Sequence, residues 1–231
     1  MAVLSACQQA ATVIGIDVPT QVFGGTDREQ VELQALANEM AKRIARAHDW
    51  QLFMKIKEYT GDGVAETFAL PTDYDRMPKK AQLWSSSLET PFTHILSADR
   101  WLDLEVRSYD FVVNAWIIIG GEMAIKPAMA TGVTASHYYQ SNLIVSPASG
   151  ADQTEFVLDT DSFRLSERLL KLGMIWQWKA NKGLPYAEDL ANYEEMKEKE
   201  ISDDKGSRIL HIGERRRPKG VRTSYPQSIP G

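Results

Sequence analysis

Apolar residues at helical spacing open the chain. Leu4, Cys7, Ala11 and Ile14 recur at three- and four-residue intervals, and Gly15 suits a helix C-terminus. The linker IDVPTQVFGG is rich in turn formers. Thr26 then stands three residues ahead of Glu29, the pattern of a capping box, which predicts a helix over 27–49. Leu33, Leu36, Met40, Ile44 and Ala47 line one stripe of that helix, with Glu32, Glu39, Lys42, Arg43 and Arg46 opposite. From Trp50 the period shortens to two. QLFMKIKEYT, TFAL and AQLWSS alternate as strands do, and FALPTDYDRM sets a proline and polar turn formers between them. SADRWLDLEV reads as a short helix capped by Ser97. AWIIIGGEMAIKPA is two apolar runs joined at Gly120-Gly121, a hairpin signal. ASHYYQSNLIVSP is β-rich, and PASGADQTE is a loop.

At Ser162 the helical period returns. Leu165, Leu169, Leu172 and Trp176 share a face, which Leu170, Ile175 and Trp178 widen, so this helix should be buried on more than one side. Gly183 stops it, and Pro185 fits the first turn of the next helix. There Tyr186, Leu190, Tyr193 and Met196 recur at helical spacing, which makes an αα-hairpin with an acidic second arm. The pattern therefore predicts an α+β chain. Its bundle has about four main helices, with a small antiparallel β region inserted and an extended C-terminal arm. The segments run 1–49, 50–160, 161–206 and 207–231.

Charge changes the picture at the C-terminus. Residues 207–231 hold six basic residues (Arg208, Arg215, Arg216, Arg217, Lys219, Arg222) and one acid, Glu214. That +5 segment belongs to a chain of net charge −5, so the rest carries −10. Too few apolar residues are present for the segment to bury a core of its own. It reads as an arm that orders on a partner. Ile209, Leu210 and Ile212 precede the arginines, and such a mixed strip can bury its apolar part while pairing its charges. Phosphate binding is the alternative, but only Tyr225 and His211 are available for base stacking. A solvated terminus without a role is the third reading.

Chemistry-bearing motifs are sparse. His48, His94, His137 and His211 match no metal-ligand spacing, and a structural role suits each of them. The chain shows no nucleophile elbow, Walker loop or dinucleotide fingerprint, so no catalytic, cofactor or metal residues are assigned. The pairs Asp73/Asp75 and Asp159/Asp161 could serve a cell-wall glycosidase, the enzyme alternative. Their setting beside Pro71 and Ser162 favours turn and cap chemistry instead. Cys7, the sole cysteine, reads as a buried thiol. The start of the chain lacks the basic region of a secretory signal, and FVVNAWIIIGG is too short to span a bilayer, so a soluble intracellular product is expected. Of the six tryptophans, Trp176 and Trp178 read as core, and Trp101 is the candidate interface anchor.

Several fragments, in order, resemble the head-to-tail adaptor (connector) proteins of tailed bacteriophages. They are IGIDVP, GGTD, the helix ending ARAHDWQ, ALPTDYDRM, HILSADRWLDL, IIIGGEMAIKPA and FVLDTDSFRLSERLLKLGMIWQWKANKGLPYAEDLANYE. The resemblance covers residues 4–200, and Ser166 departs from it where the family often has proline. It implies a non-enzymatic virion protein of the head–tail neck, made in the host cytoplasm. It implies a ring, dodecameric like the portal above it, that extends the DNA channel and presents a platform to tail or neck proteins. The genome would pass without sequence-specific binding, and neither cofactor nor membrane is implied. The arm lies beyond the matched stretch. Its charge and position make it the candidate portal-docking element, through Ile209, Leu210, Ile212, Arg215, Arg216, Arg217, Lys219 and Arg222.

Overall fold

The computed structural model describes residues 2–87, 89–107 and 114–206. Among them the fold is mixed α+β, with five α-helices and several largely antiparallel sheets. Four helices share one apolar cluster: α1 (Val3–Ile14), α2 (Arg28–Ala47), α4 (Glu167–Asn181) and α5 (Ala187–Asp204). The fifth, α3 (Ala98–Val106), sits within the β-rich middle.

α1 ends where Gly15 adopts a left-handed φ of 84° and its N–H donates to the Ala11 carbonyl. The capping box of α2 lies one residue later than its sequence suggests. Asp27 is the N-cap, and the Gln30 carboxamide oxygen accepts from the Asp27 N–H at 3.4 Å. The stripe holds at Leu33, Leu36, Met40 and Ile44, but Ala45 is buried in place of Ala47, which is exposed. At α4 Ser166 is the N-cap, its hydroxyl accepting from the Leu169 N–H at 3.4 Å. Leu169, Leu170, Met174 and Ile175 are buried, which gives α4 the wide apolar face needed to meet α1, α2 and α5 together. Pro185 is not in the first turn of α5, which has Tyr186 as N-cap. The proline instead lies in the turn opened by Gly183, whose φ is 70°.

The first sheet centres on β8 (Thr134–Ser141). β1 (Met54–Thr60) flanks it on one side, and β3 (Tyr74–Arg76) and β4 (Trp84–Ser85) on the other. The second has the order β2 (Thr67–Ala69), β7 (Glu122–Lys126), β6 (Ala115–Ile119), β5 (Thr93–His94). The β5–β6 pairing is parallel, so the region is not antiparallel throughout as its sequence suggests. A third ladder pairs β9 (Val145–Ser146) with β10 (Ser162–Phe163). The β6–β7 hairpin turns at Gly120 and Gly121, with φ of 62° and 83°, values that a two-residue turn of this hand requires at both positions. Its strands are buried on both faces. Trp116, Met123 and Ile125 face a cluster with Tyr59, Leu83 and Phe92, while Ala115, Ile117 and Ala124 face α3. Continuous rather than alternating hydrophobicity follows from that double burial.

The helical cluster draws on the middle of the chain too, taking in Trp50, Phe53, Ile144, Val145 and Phe156. Truncating its fully buried centre should be costly: Leu169→Ala is expected to lose about 2–5 kcal/mol in urea denaturation. The exposed Leu96→Ala should lie within about 0.5 kcal/mol of the parent.

Candidate functional site

The residues assigned to the docking arm, Ile209, Leu210, Ile212, Arg215, Arg216, Arg217, Lys219 and Arg222, lie outside the described residues. Trp101 is described, and it is not an exposed anchor. It is 4% accessible, packed among Ile95, Ala115, Ile117 and Ala124, with its indole N–H donated to Glu105 at 3.1 Å. The α3 stripe turns it inward because the β6–β7 hairpin offers an apolar second face.

Asp159 and Asp161 do the work of turns, whereas Asp73 and Asp75 bond side chains of neighbouring strands and of α2 instead. The Asp159 carboxylate accepts from the backbone N–H groups of Val22 (3.0 Å) and Phe23 (2.9 Å), tying the first linker to the loop before β10. Asp161 accepts from Val157 and Leu158, both at 2.8 Å, and its carbonyl accepts from Val3 at 2.6 Å. Asp73 accepts from Lys55 (2.7 Å), Ser141 (2.8 Å) and Tyr139 (2.9 Å). Burial alone would raise the Asp73 pKa, but these three donors outweigh it and hold the carboxyl below the usual range. Glu32 is also lowered, by hydrogen bonds from Lys182 and then Arg28. Asp62 is lowered by the N–H groups of Ala65 and Val64. All three of these carboxyls are thus favoured as anions.

Among the described residues, His137, His94 and Cys7 also serve the fold. His137 is buried in the β8 ladder, its Nε2 3.2 Å from the Tyr59 hydroxyl, and burial lowers its pKa. His94 stacks on Trp116 at 4.0 Å between centroids. Cys7 is fully buried, which pushes its thiol up to about 12, with the Asp159 charge adding to the shift. Among the described residues, no group of three or more His, Cys, Asp or Glu side chains could hold a metal ion. Nor is any helix among them long and apolar enough to cross a membrane.

What the structure brings together is a polar joint between helices and sheet. Arg76 Nη2 donates to the His48 carbonyl (2.8 Å) and to Asp49 (3.1 Å), while its Nη1 donates to Asp75 (2.7 Å). Gln140 donates to the Trp50 carbonyl at 3.1 Å, and Trp50 donates its indole N–H to the Ile44 carbonyl at 2.9 Å. The last turn of α5 closes the joint. Its Asp204 carboxylate accepts from the Gln51 N–H at 3.2 Å and lies 3.2 Å from His48 Nε2. The tract DYDRM reads only as turn formers in sequence. An arginine among aspartates was the one signal of this role.

Beside the joint, a groove of about 660 Å³ is lined by Glu39, Arg43, Arg46, Phe53, Arg76 and Gln140. Its cations are paired internally: Arg46 with Asp75 at 2.7 Å, and Arg43 with Gln177 at 2.9 Å and over the Trp176 ring. The unbalanced charge lies on α5, whose solvent side presents Glu188, Glu195 and Glu198. The chain matches no family model and no curated protein.

The Asp73 network makes stability depend on acid. With its pKa lower in the folded than in the unfolded chain, Asp73 stabilises the fold above its unfolded pKa, and that contribution is lost as pH falls through the folded value. Asp73→Asn should therefore be less stable than the parent at neutral pH, and the gap should close toward strongly acidic pH. Chemical denaturation across pH checks both the sign and the window.

Proposed function

We propose that this chain is a structural virion protein, a head-to-tail adaptor that forms a ring beneath the portal of a tailed bacteriophage. In this reading α1, α2, α4 and α5 are a helical bundle that supplies the rigid lateral faces of each subunit. The β-rich region is an insert projecting from it. The observation that carries the proposal is the common cluster formed by helices from both ends of the chain, with the sheets between α2 and α4. That is the architecture implied by the motif order from IGIDVP to the tryptophan-bearing αα-hairpin. The structural employment of both aspartate pairs adds support.

A closed ring requires two different, mutually complementary side faces on every subunit. Helices packed into one cluster offer such faces without rearrangement. Twelve copies would present twelve arms to the portal, and the entropy of ordering each arm is offset by their joint attachment. The basic arm then serves as the fastening, with Arg215, Arg216 and Arg217 against acidic groups of the portal. The acidic face of α5 near the channel would let DNA slide without adhering, because like charge repels the phosphates.

Deleting residues 207–231 should abolish attachment to portal-bearing heads in a sedimentation assay. Reversing Arg215, Arg216 and Arg217 to Glu should weaken it severely. Normal attachment of both variants would rule out the arm as the fastening. Electron microscopy of portal complexes should show a closed ring of this protein, and its absence there would rule out the adaptor reading as a whole.

A further inference from the structure

β1 is an edge strand of seven residues that pairs only with β8. Along its outer edge, alternate backbone N–H and C=O groups have no strand to bond among the described residues. The adjoining sheet face is apolar where it should be polar. Ile56 (61% exposed) lies directly opposite Tyr138 (50%), and Trp84 (51%), across from Ser136, continues the strip onto β4. Three large apolar side chains on three neighbouring strands thus form one uncovered band.

The chain itself supplies an occupant. α5 ends against the start of this strand, where the Asp204 carbonyl accepts from Gln51 Nε2 at 2.7 Å, three residues ahead of Met54. The next residues, Lys205 and Gly206, release the chain at that point, with Gly206 at a left-handed φ of 70°. β1 runs on from there for roughly 23 Å, a span that residues 207–213 match in extended form. The sequence RILHI places Leu210 and Ile212 on one face of a strand, at the spacing that covers an apolar band. Asp62 and Glu66 are both exposed past the far end of β1, at the level that Arg215, Arg216 and Arg217 would reach if the same extended form continued. A second copy is a poorer occupant. Two β1 strands laid antiparallel about their middle residue set Lys57 against Lys57 and Ile56 against Glu58.

We propose that residues 208–212 add to the free edge of β1 in their own chain as a parallel strand, with Leu210 and Ile212 on the sheet face that carries Ile56 and the three arginines meeting Asp62 and Glu66. The inference concerns the free chain and goes beyond the adaptor reading; it requires neither ring nor portal. Hydrogen exchange of the full-length chain, resolved by residue, tests it. The outward amides of β1 should exchange at least about tenfold more slowly in the parent than in the Leu210→Lys/Ile212→Lys variant. Ile56→Lys, at an exposed position, should cause the same loss, while the β8 amides stay protected in all three. Equal exchange of β1 in parent and variants overturns the proposal. Protection that grows with protein concentration overturns the own-chain assignment, because it marks exchange of the segment between copies. Portal attachment plays no part in the measurement, so either proposal can fail alone.

Discussion

A Cβ added at Gly173 would lie 2.6 Å from Met40 Cε and 3.3 Å from the Tyr193 ring. Met40 belongs to α2 and Tyr193 to α5, so at this level of α4 the absent side chain lets two helices approach from different directions. The same helix turns Leu169, Leu170, Met174 and Ile175 inward. α4 is consequently the element against which α1, α2 and α5 are all positioned. Its exposed surface is correspondingly small, and its two tryptophan rings are each covered by a cation, Trp176 by Arg43 and Trp178 by Lys182.

From that helix the order passes outward through polar contacts. The apolar cluster of the helices and those of the second sheet are separate. Arg76 and Gln140, on β3 and β8, tie the first sheet to the helical side by directional bonds to the His48 and Trp50 carbonyls. Directional bonds fix an angle between layers more tightly than apolar packing, which tolerates sliding. In the adaptor reading proposed above, that fixed angle between helical and β layers would determine whether the ring closes.

The elements that rest on periodicity were legible in the sequence. The stripes of α2 and α4, the Gly120-Gly121 hairpin and the αα-hairpin all appear where the spacing of apolar residues puts them. The misplacements have local causes. Thr26 and Asp27 are both good caps, and the geometry selects Asp27 because Gln30 can reach back to it. Trp101 was misjudged because a nine-residue amphipathic helix does not reveal whether its face is covered; the second apolar face of β6–β7 covers it. The Arg76 joint left only the DYDRM tract as a signal, because the His48 carbonyl and Asp49 that it also bonds lie far away in sequence. The arm, outside the described residues, was legible only as composition, since charge and hydropathy leave protein docking, phosphate binding and a solvated end all open.

The packing of α1 against α4 carries a consequence for the order of events at the ribosome. Val3–Ile14 and Glu167–Asn181 are neighbours in space but stand at opposite ends of the chain. Until α4 has emerged, α1 and α2 expose an apolar stripe that has no lasting cover, and the β region between them is a long loop whose closure must precede any reward from contact. Synthesis of the final third is thus the step that commits the chain, and a product arrested before α4 would carry its stickiest surface outward.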